Sequence, residues 1–172
     1  ILFSLGIHRA QTEEERQKIV GEEVFQKIRC IDHDARDENQ LTKIGVLQLP
    51  VEKGEDSRLK LRINSHAAKS DRLILTGVVG LHYLAGFGGG GKAILPGISS
   101  YDSCMALHRM TLNPDGPGRH PGIGPARLEG NPVQETIQRA LALVQPDFLL
   151  NTVLDTTRQA EYDSQGKKEK PK

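Results

Sequence analysis

The sequence predicts an α/β fold: a mainly parallel sheet flanked by helices, in a Rossmann-like layered domain. Three observations predict it. Apolar runs of strand length alternate with stretches of helical pattern along the 172 residues. One run, "RLILTGVV" at residues 72–79, is continuously apolar, as strands buried on both faces of a parallel sheet are. The helical stretches open on residues that cap helix N-termini.

In chain order, "ILFSLG" (1–6) is a short apolar run ending in glycine and predicts a strand. Thr12, with Glu15 three residues on, has the capping-box pattern and starts a helix over 13–28. "RCIDHDARD" (29–37) predicts a second strand breaking into a polar loop, and 41–63 alternate as a hairpin with Gly54 near its turn. A short helix suits 64–71, followed by the strand at 72–79. Residues 99–110 are helical by pattern, whereas 115–125 form a loop by their glycine and proline content. Asn131 as N-cap, Pro132 at the first helical position and Gln134 two residues later start a helix through 144. "DFLLNTVL" (147–154) closes the fold as a last strand. The strand-like opening without methionine and the polar ending "YDSQGKKEKPK" predict a fragment, incomplete at both ends, with one domain over 1–155 and a divergent, disordered tail over 156–172.

Composition narrows the partners. Lys plus Arg number 23 against 22 Asp plus Glu, and the basic residues are dispersed, so no footprint for nucleic acid or a membrane surface emerges. No apolar stretch reaches bilayer-spanning length and the opening is unlike a leader, which predicts a cytoplasmic protein acting on a small molecule. Cys30 and Cys104 stand too far apart for a paired motif and are expected as buried thiols.

The chemistry concentrates in "HYLAGFGGGGKAILPG" (82–97). A glycine run can be a flexible surface loop or a phosphate cradle. Gly86, Gly91 and Lys92 satisfy G-x-x-x-x-G-K, but Ala93 lacks the hydroxyl that would hold magnesium, and "GLHYLA" separates the loop from its strand. A P-loop-like nucleotide-binding protein is therefore the alternative, with Asp155 as its metal carboxylate. His8 and His82 follow strands, and His108 lies on a helix sixteen residues beyond Lys92. Imidazoles so placed suit a soft or borderline metal, or proton exchange with a substrate, and spacing alone does not say which does which.

Together with "SLGIHRAQTEEE", "IDHDARD", "ALHRM" and "LEGNPV", the loop resembles the nickel-dependent lactate racemase family, whose members carry an HYxAGFSGGRK-like loop and an earlier GxHRP. The resemblance covers 1–155 and marks this stretch as part of the family's N-terminal catalytic domain. It implies a racemase or epimerase of a lactate-like 2-hydroxy acid, by hydride transfer to and from a nickel pincer nucleotide linked covalently to Lys92. It further implies His108 as the protein ligand to nickel, His8 and His82 as the catalytic acid/base pair, and Gly89 and Gly90 as glycines that let the backbone approach the cofactor. Cofactor-synthesis and nickel-insertion proteins are then implied partners. Three departures stand out. Gly88 and Gly91 replace the family's serine and arginine, and Ala10 replaces a proline, which predicts a looser turn at His8. The family's upstream D-x-T-R-P segment and its C-terminal domain have no counterpart here, so an inactive fragment, at most a binding module, is a further alternative.

Overall fold

The structure is a computed structural model that describes residues 1–50 and 57–155. The predicted Gly54 turn and the tail over 156–172 lie outside the described residues. In chain order the elements are β1 (Leu2–Phe3), α1 (Glu13–Val20), α2 (Glu22–Lys27), β2 (Ile31–Asp32), β3 (Leu41–Gln48), β4 (Arg58–Asn64), α3 (Ser65–Ala68), β5 (Ile74–Val79), β6 (Leu81–His82), β7 (Gly86–Phe87), α4 (Tyr101–Arg109), α5 (Pro132–Val144) and β8 (Phe148–Val153). Short 3-10 turns cover Glu38–Gln40 and Gly90–Ala93. The fold is α/β, with parallel ladders β1–β2 and β5–β8 and antiparallel pairs β3–β4 and β6–β7.

Local chemistry explains most boundaries. Thr12 and Glu15 form the expected capping box: Glu15 N donates to Thr12 Oγ1 at 3.2 Å and Thr12 N to Glu15 Oε2 at 2.9 Å. The single helix expected over 13–28 is instead two, because Gly21 adopts φ 82°, ψ 152°, a conformation open essentially to glycine alone, and turns the chain between them. Asn131 caps α5 by accepting from Val133 N and Gln134 N, with Pro132 in the first turn. Asn64 and Ser100 cap α3 and α4 in the same manner.

The core lies where α4 and α5 cover the β3–β4 hairpin. Leu47, Leu59, Leu61 and Ile63 of the hairpin meet Ile94, Leu95, Leu107, Ile137 and Ala140. Gly45 sits at the bulge in β3, where a Cβ would come within 2.9 Å of Leu143, so the missing side chain lets α5 approach the strand. The expectation that β5 is buried on both faces does not hold. Leu75 is buried, but Ile74 is 61% and Val78 49% exposed, since among the described residues β5 pairs only with β8 and only one of its faces is packed. Apolar continuity cannot say how many faces find a neighbour. Cys104 is buried as expected; Cys30, just after the α2 end, is only half-buried. Among the described residues no helix is long and apolar enough to cross a membrane.

Candidate functional site

A cleft of about 440 Å³ opens between the segment after β1, the end of β5 and the glycine-rich turn. His8, His82, Gly89, Lys92 and His108, scattered over a hundred residues of sequence, all line it. Gly90 does not: its N–H turns toward β8 and donates to Asn151 Oδ1 at 3.2 Å.

His8 sits on the turn that follows β1. Gly6, at φ 59°, lets that turn fold back so that Gly6 N donates to Gly97 O at 2.8 Å, which ties the His8 segment to the chain just after Lys92. Ala10 does not leave the turn loose. Arg9 pairs with Glu15 at 2.7 Å and also donates to Ala10 O, while Gln11 N donates to Asp32 Oδ2 at 2.6 Å. Glu15 is held at about 2 by Arg9 foremost and by the Thr12 N–H, so it is charged throughout the neutral range. The His8 ring is exposed and makes no hydrogen bond among the described residues.

His82 closes β6. Its Nδ1 accepts two backbone hydrogen bonds, from Leu84 N at 3.1 Å and Ala85 N at 3.0 Å, and its ring stacks on Tyr83 with centroids 5.0 Å apart. Burial, then the positive Lys92 and the neighbouring His108, hold its pKa below the ordinary imidazole value. The loop behind it is anchored, because Asn131 Nδ2 donates to Leu84 O at 2.8 Å and Ala126 N to Gly86 O at 3.0 Å.

Lys92 rides the Gly90–Ala93 turn. Gly89 at φ 74°, ψ −169° and Gly90 at φ 56° set the approach, and Gly91 is buried on α5, where a Cβ would stand 2.9 Å from Ile137 Cγ2. The glycine run is therefore packed rather than flexible. The position where the resemblance implies an arginine is occupied by apolar side chains of α5. Burial lowers the Lys92 pKa, and no salt bridge with an acidic group meets its amine among the described residues. His108 completes the set from the last turn of α4.

This arrangement does not suit a P-loop. The β6–β7 hairpin separates β5 from the glycine run, whose last two glycines open a four-residue 3-10 turn instead of a helix whose N-terminal N–H groups would hold phosphate. Among the described residues no group of three or more His, Cys, Asp or Glu could hold a metal ion. An amine with no salt bridge among the described residues, a glycine-lined wall and an imidazole thus face the same cleft.

The remaining histidines, and two arginines, stand apart from the cleft. His33 is buried and fixes the loop after β2: its ring bonds Ser99 O at 2.9 Å and Asn64 Nδ2 at 3.3 Å. Arg36 lies over the Tyr101 ring at 4.2 Å, and neither it nor Arg109 lines the cleft. His66 is exposed, and His120 Nδ1 accepts from Gly122 N in a loop. Two contributors escaped the sequence reading. Asn151 was visible only as a polar residue inside the apolar strand "FLLNTV"; Tyr83 was visible only as the neighbour of His82.

Comparison with known proteins adds to this geometry. Residues 1–118 match the model of the lactate racemase N-terminal domain. The chain is 32% identical over 170 residues to a lactate racemase of Thermoanaerobacterium thermosaccharolyticum, covering 99% of this chain and 37% of that protein. It is 34% identical over 155 residues to a lactate racemase of Lactiplantibacillus plantarum, covering 90% of this chain and 34% of the relative. The chain thus spans about a third of the length of the curated relatives it matches. The solved lactate racemase apoprotein from T. thermosaccharolyticum superposes with a TM-score of 0.77 over 91% of this chain and 34% of that one. A Thermotoga maritima protein, 21% identical, shares the fold with a TM-score of 0.64 over 90% of this chain.

Proposed function

Since the chain belongs to the lactate racemase family through its N-terminal domain, we propose that it carries the cofactor-bearing half of a site that racemises a lactate-like 2-hydroxy acid, in the cytoplasm. The observation that carries this reading is the convergence of His8, His82, Lys92 and His108 on one cleft. A nickel pincer nucleotide, when bound, supplies a reversible hydride acceptor, through which a 2-hydroxy acid becomes its 2-oxo acid and is reduced again from either face.

The protein's own residues supply attachment, position and protons. Burial keeps more of the Lys92 amine uncharged than an exposed lysine would have, which favours covalent attachment at Nζ. His108 offers an imidazole nitrogen as the protein ligand to nickel. The bare backbone of Gly89 admits a planar group close to the wall. Gly90, facing Asn151, acts indirectly by fixing the turn. His8 and His82 meet the substrate hydroxyl and carboxylate with their acid, base and hydrogen-bonding nitrogens. The reading requires proteins that build the nucleotide and insert nickel.

The test is intact-mass and nickel analysis of the chain produced together with those proteins. An adduct mapped to Lys92 with nickel near one equivalent is expected, and Lys92→Ala is expected to fold without it. An adduct that survives Lys92→Ala, or an unmodified parent chain, overturns the reading; the second result would leave a folded domain without the chemistry.

A further inference from the structure

We propose, resting on the function above, that His33, outside the cleft, is a positioning residue that registers the segments carrying His8, Lys92 and His108 against one another, and that it does so only as the neutral imidazole. All three segments meet at it. On the His8 side, His33 N donates to Phe3 O of β1 at 3.1 Å, and β1 runs on into the His8 turn. On the other side the ring bonds Ser99 O at 2.9 Å. Ser99 stands between Lys92 and α4: its Oγ donates to Ile94 O at 2.7 Å, and Gly97 N, two residues before it, donates to Lys92 O at 3.0 Å. The next residue, Ser100, caps the helix that bears His108. A displacement of Ser99 is therefore passed to the amine in one direction and to the imidazole of α4 in the other.

The proton count of His33 is set by neighbours that cannot turn round. Asn64, fully buried at the end of β4, accepts from His66 N through Oδ1 at 3.0 Å, and a peptide N–H only donates. Its Nδ2 must then face His33 Nδ1, at 3.3 Å, and needs a lone pair there. The one ring proton is left on Nε2, where Ser99 O accepts it. A second proton would set an Nδ1–H against the Asn64 amide, and turning that amide over would break the α3 cap. The charged and titratable groups nearby do not offset this. Asp34 and Arg36 share its loop, Arg36 lying over Tyr101, while Asp32 is engaged by Arg16 and Arg62 of β4 by Glu38 and Asp102. From α4 the Cys104 thiol, kept uncharged by burial, meets the same Ser99 carbonyl at 3.7 Å; β1 and residues 94–99 carry no titratable side chain. Burial outweighs the Ser99 carbonyl and the Asp34 charge, which both favour a proton, and holds the His33 pKa below the ordinary 6.5. The tie is thus fully present above 6.5 and is lost as pH falls through the folded value.

Ring 15N–1H spectra of the 15N-labelled chain without nickel, followed from about pH 8 down to 5, test this, with the rings assigned from His8→Gln, His33→Gln and His108→Gln. The His8 and His108 rings are expected to shift at the pH where His33 takes its proton, and that step is expected to vanish in His33→Gln. Glutamine keeps a donor for Ser99 O and an acceptor for Asn64 without titrating. Near neutral pH it should leave both rings at their parent positions, whereas His33→Leu should displace both. A His33 step that neither ring follows, no His33 step before the chain unfolds, or a glutamine variant that displaces the rings as leucine does overturns the proposal. Rings unmoved in His33→Leu overturn it as well, and if that variant fails to fold, the parent and glutamine titrations still decide. Nickel and adduct analysis judge the proposed function separately, since none of these spectra needs the metal.

Discussion

Replacing Gly89 by alanine isolates what the glycine run contributes. Gly89 holds φ 74°, ψ −169°, a region essentially confined to glycine, and forcing another residue there costs about 1–3 kcal/mol. Its Cβ would also meet Asn151 Oδ1 at 3.0 Å and Val78 O at 3.1 Å, a crowding worth about 1 kcal/mol more. The total is roughly 2–4 kcal/mol. Gly21→Ala provides the first contribution alone, since it has φ 82° with nothing within 4 Å of the added carbon. Gly80→Ala provides neither, having open space and no positive φ, and should stay within about 0.5 kcal/mol. Urea unfolding followed by circular dichroism measures all three. With a slope of about 2 kcal/mol per molar, the Gly89 variant's midpoint is expected to fall by about 1–2 M, further than that of Gly21→Ala. A Gly89→Ala midpoint matching that of Gly80→Ala would refute the idea that this turn is preset by its backbone.

Three more outcomes are expected. Lys92 has a folded pKa below its ordinary 10.5, so the folded chain holds fewer protons than the unfolded one between the two values and stability rises with pH there. Lys92→Met should then unfold at higher urea near neutral pH, with the advantage shrinking as pH climbs toward 10.5; an unchanged midpoint would contradict the buried charge. Asn131→Ala removes the α5 cap and unpairs Leu84 O and Arg127 O, for about 2–4 kcal/mol, and a loss below about 0.5 kcal/mol in the same unfolding assay would show that those bonds do not hold the loop. Cys104, its thiol pushed up to about 12 by burial, should resist Ellman's reagent while Cys30 reacts, giving one fast equivalent folded and two in urea; two fast equivalents in the folded chain would show the α4 core open.

What was legible in the sequence was local. The Thr12–Glu15 box and the Asn131 cap depend on atoms three residues apart, so they survive into the structure unchanged. Gly21 was overlooked because helical pattern runs through it on both sides, and only its φ shows the break. The two faces of β5 and the packing beneath Gly91 depend on neighbours distant in sequence, which a one-dimensional pattern does not specify. The candidate site divides along the same line. His8, His82, Lys92 and His108 were readable as candidates from the glycine loop and from the motif it shares with the family it resembles, and they line one cleft. Their supports were not, since Asn151 reaches the turn from β8 and the donors to His82 Nδ1 are main-chain groups that no residue type advertises.

Gly91, seated against Ile137 and Leu141, gives the turn under Lys92 a history as well as a shape. Four glycines lose more freedom on ordering than any other four residues, and here that loss is met during folding, by contacts of Gly91 with α5 and of its neighbours with β5 and β8. The main chain under the amine is therefore already set when folding ends, with no loop left to order around it. The same arrangement makes the position intolerant: a methyl group added at residue 91 would press on the helix and shift the lysine that follows it.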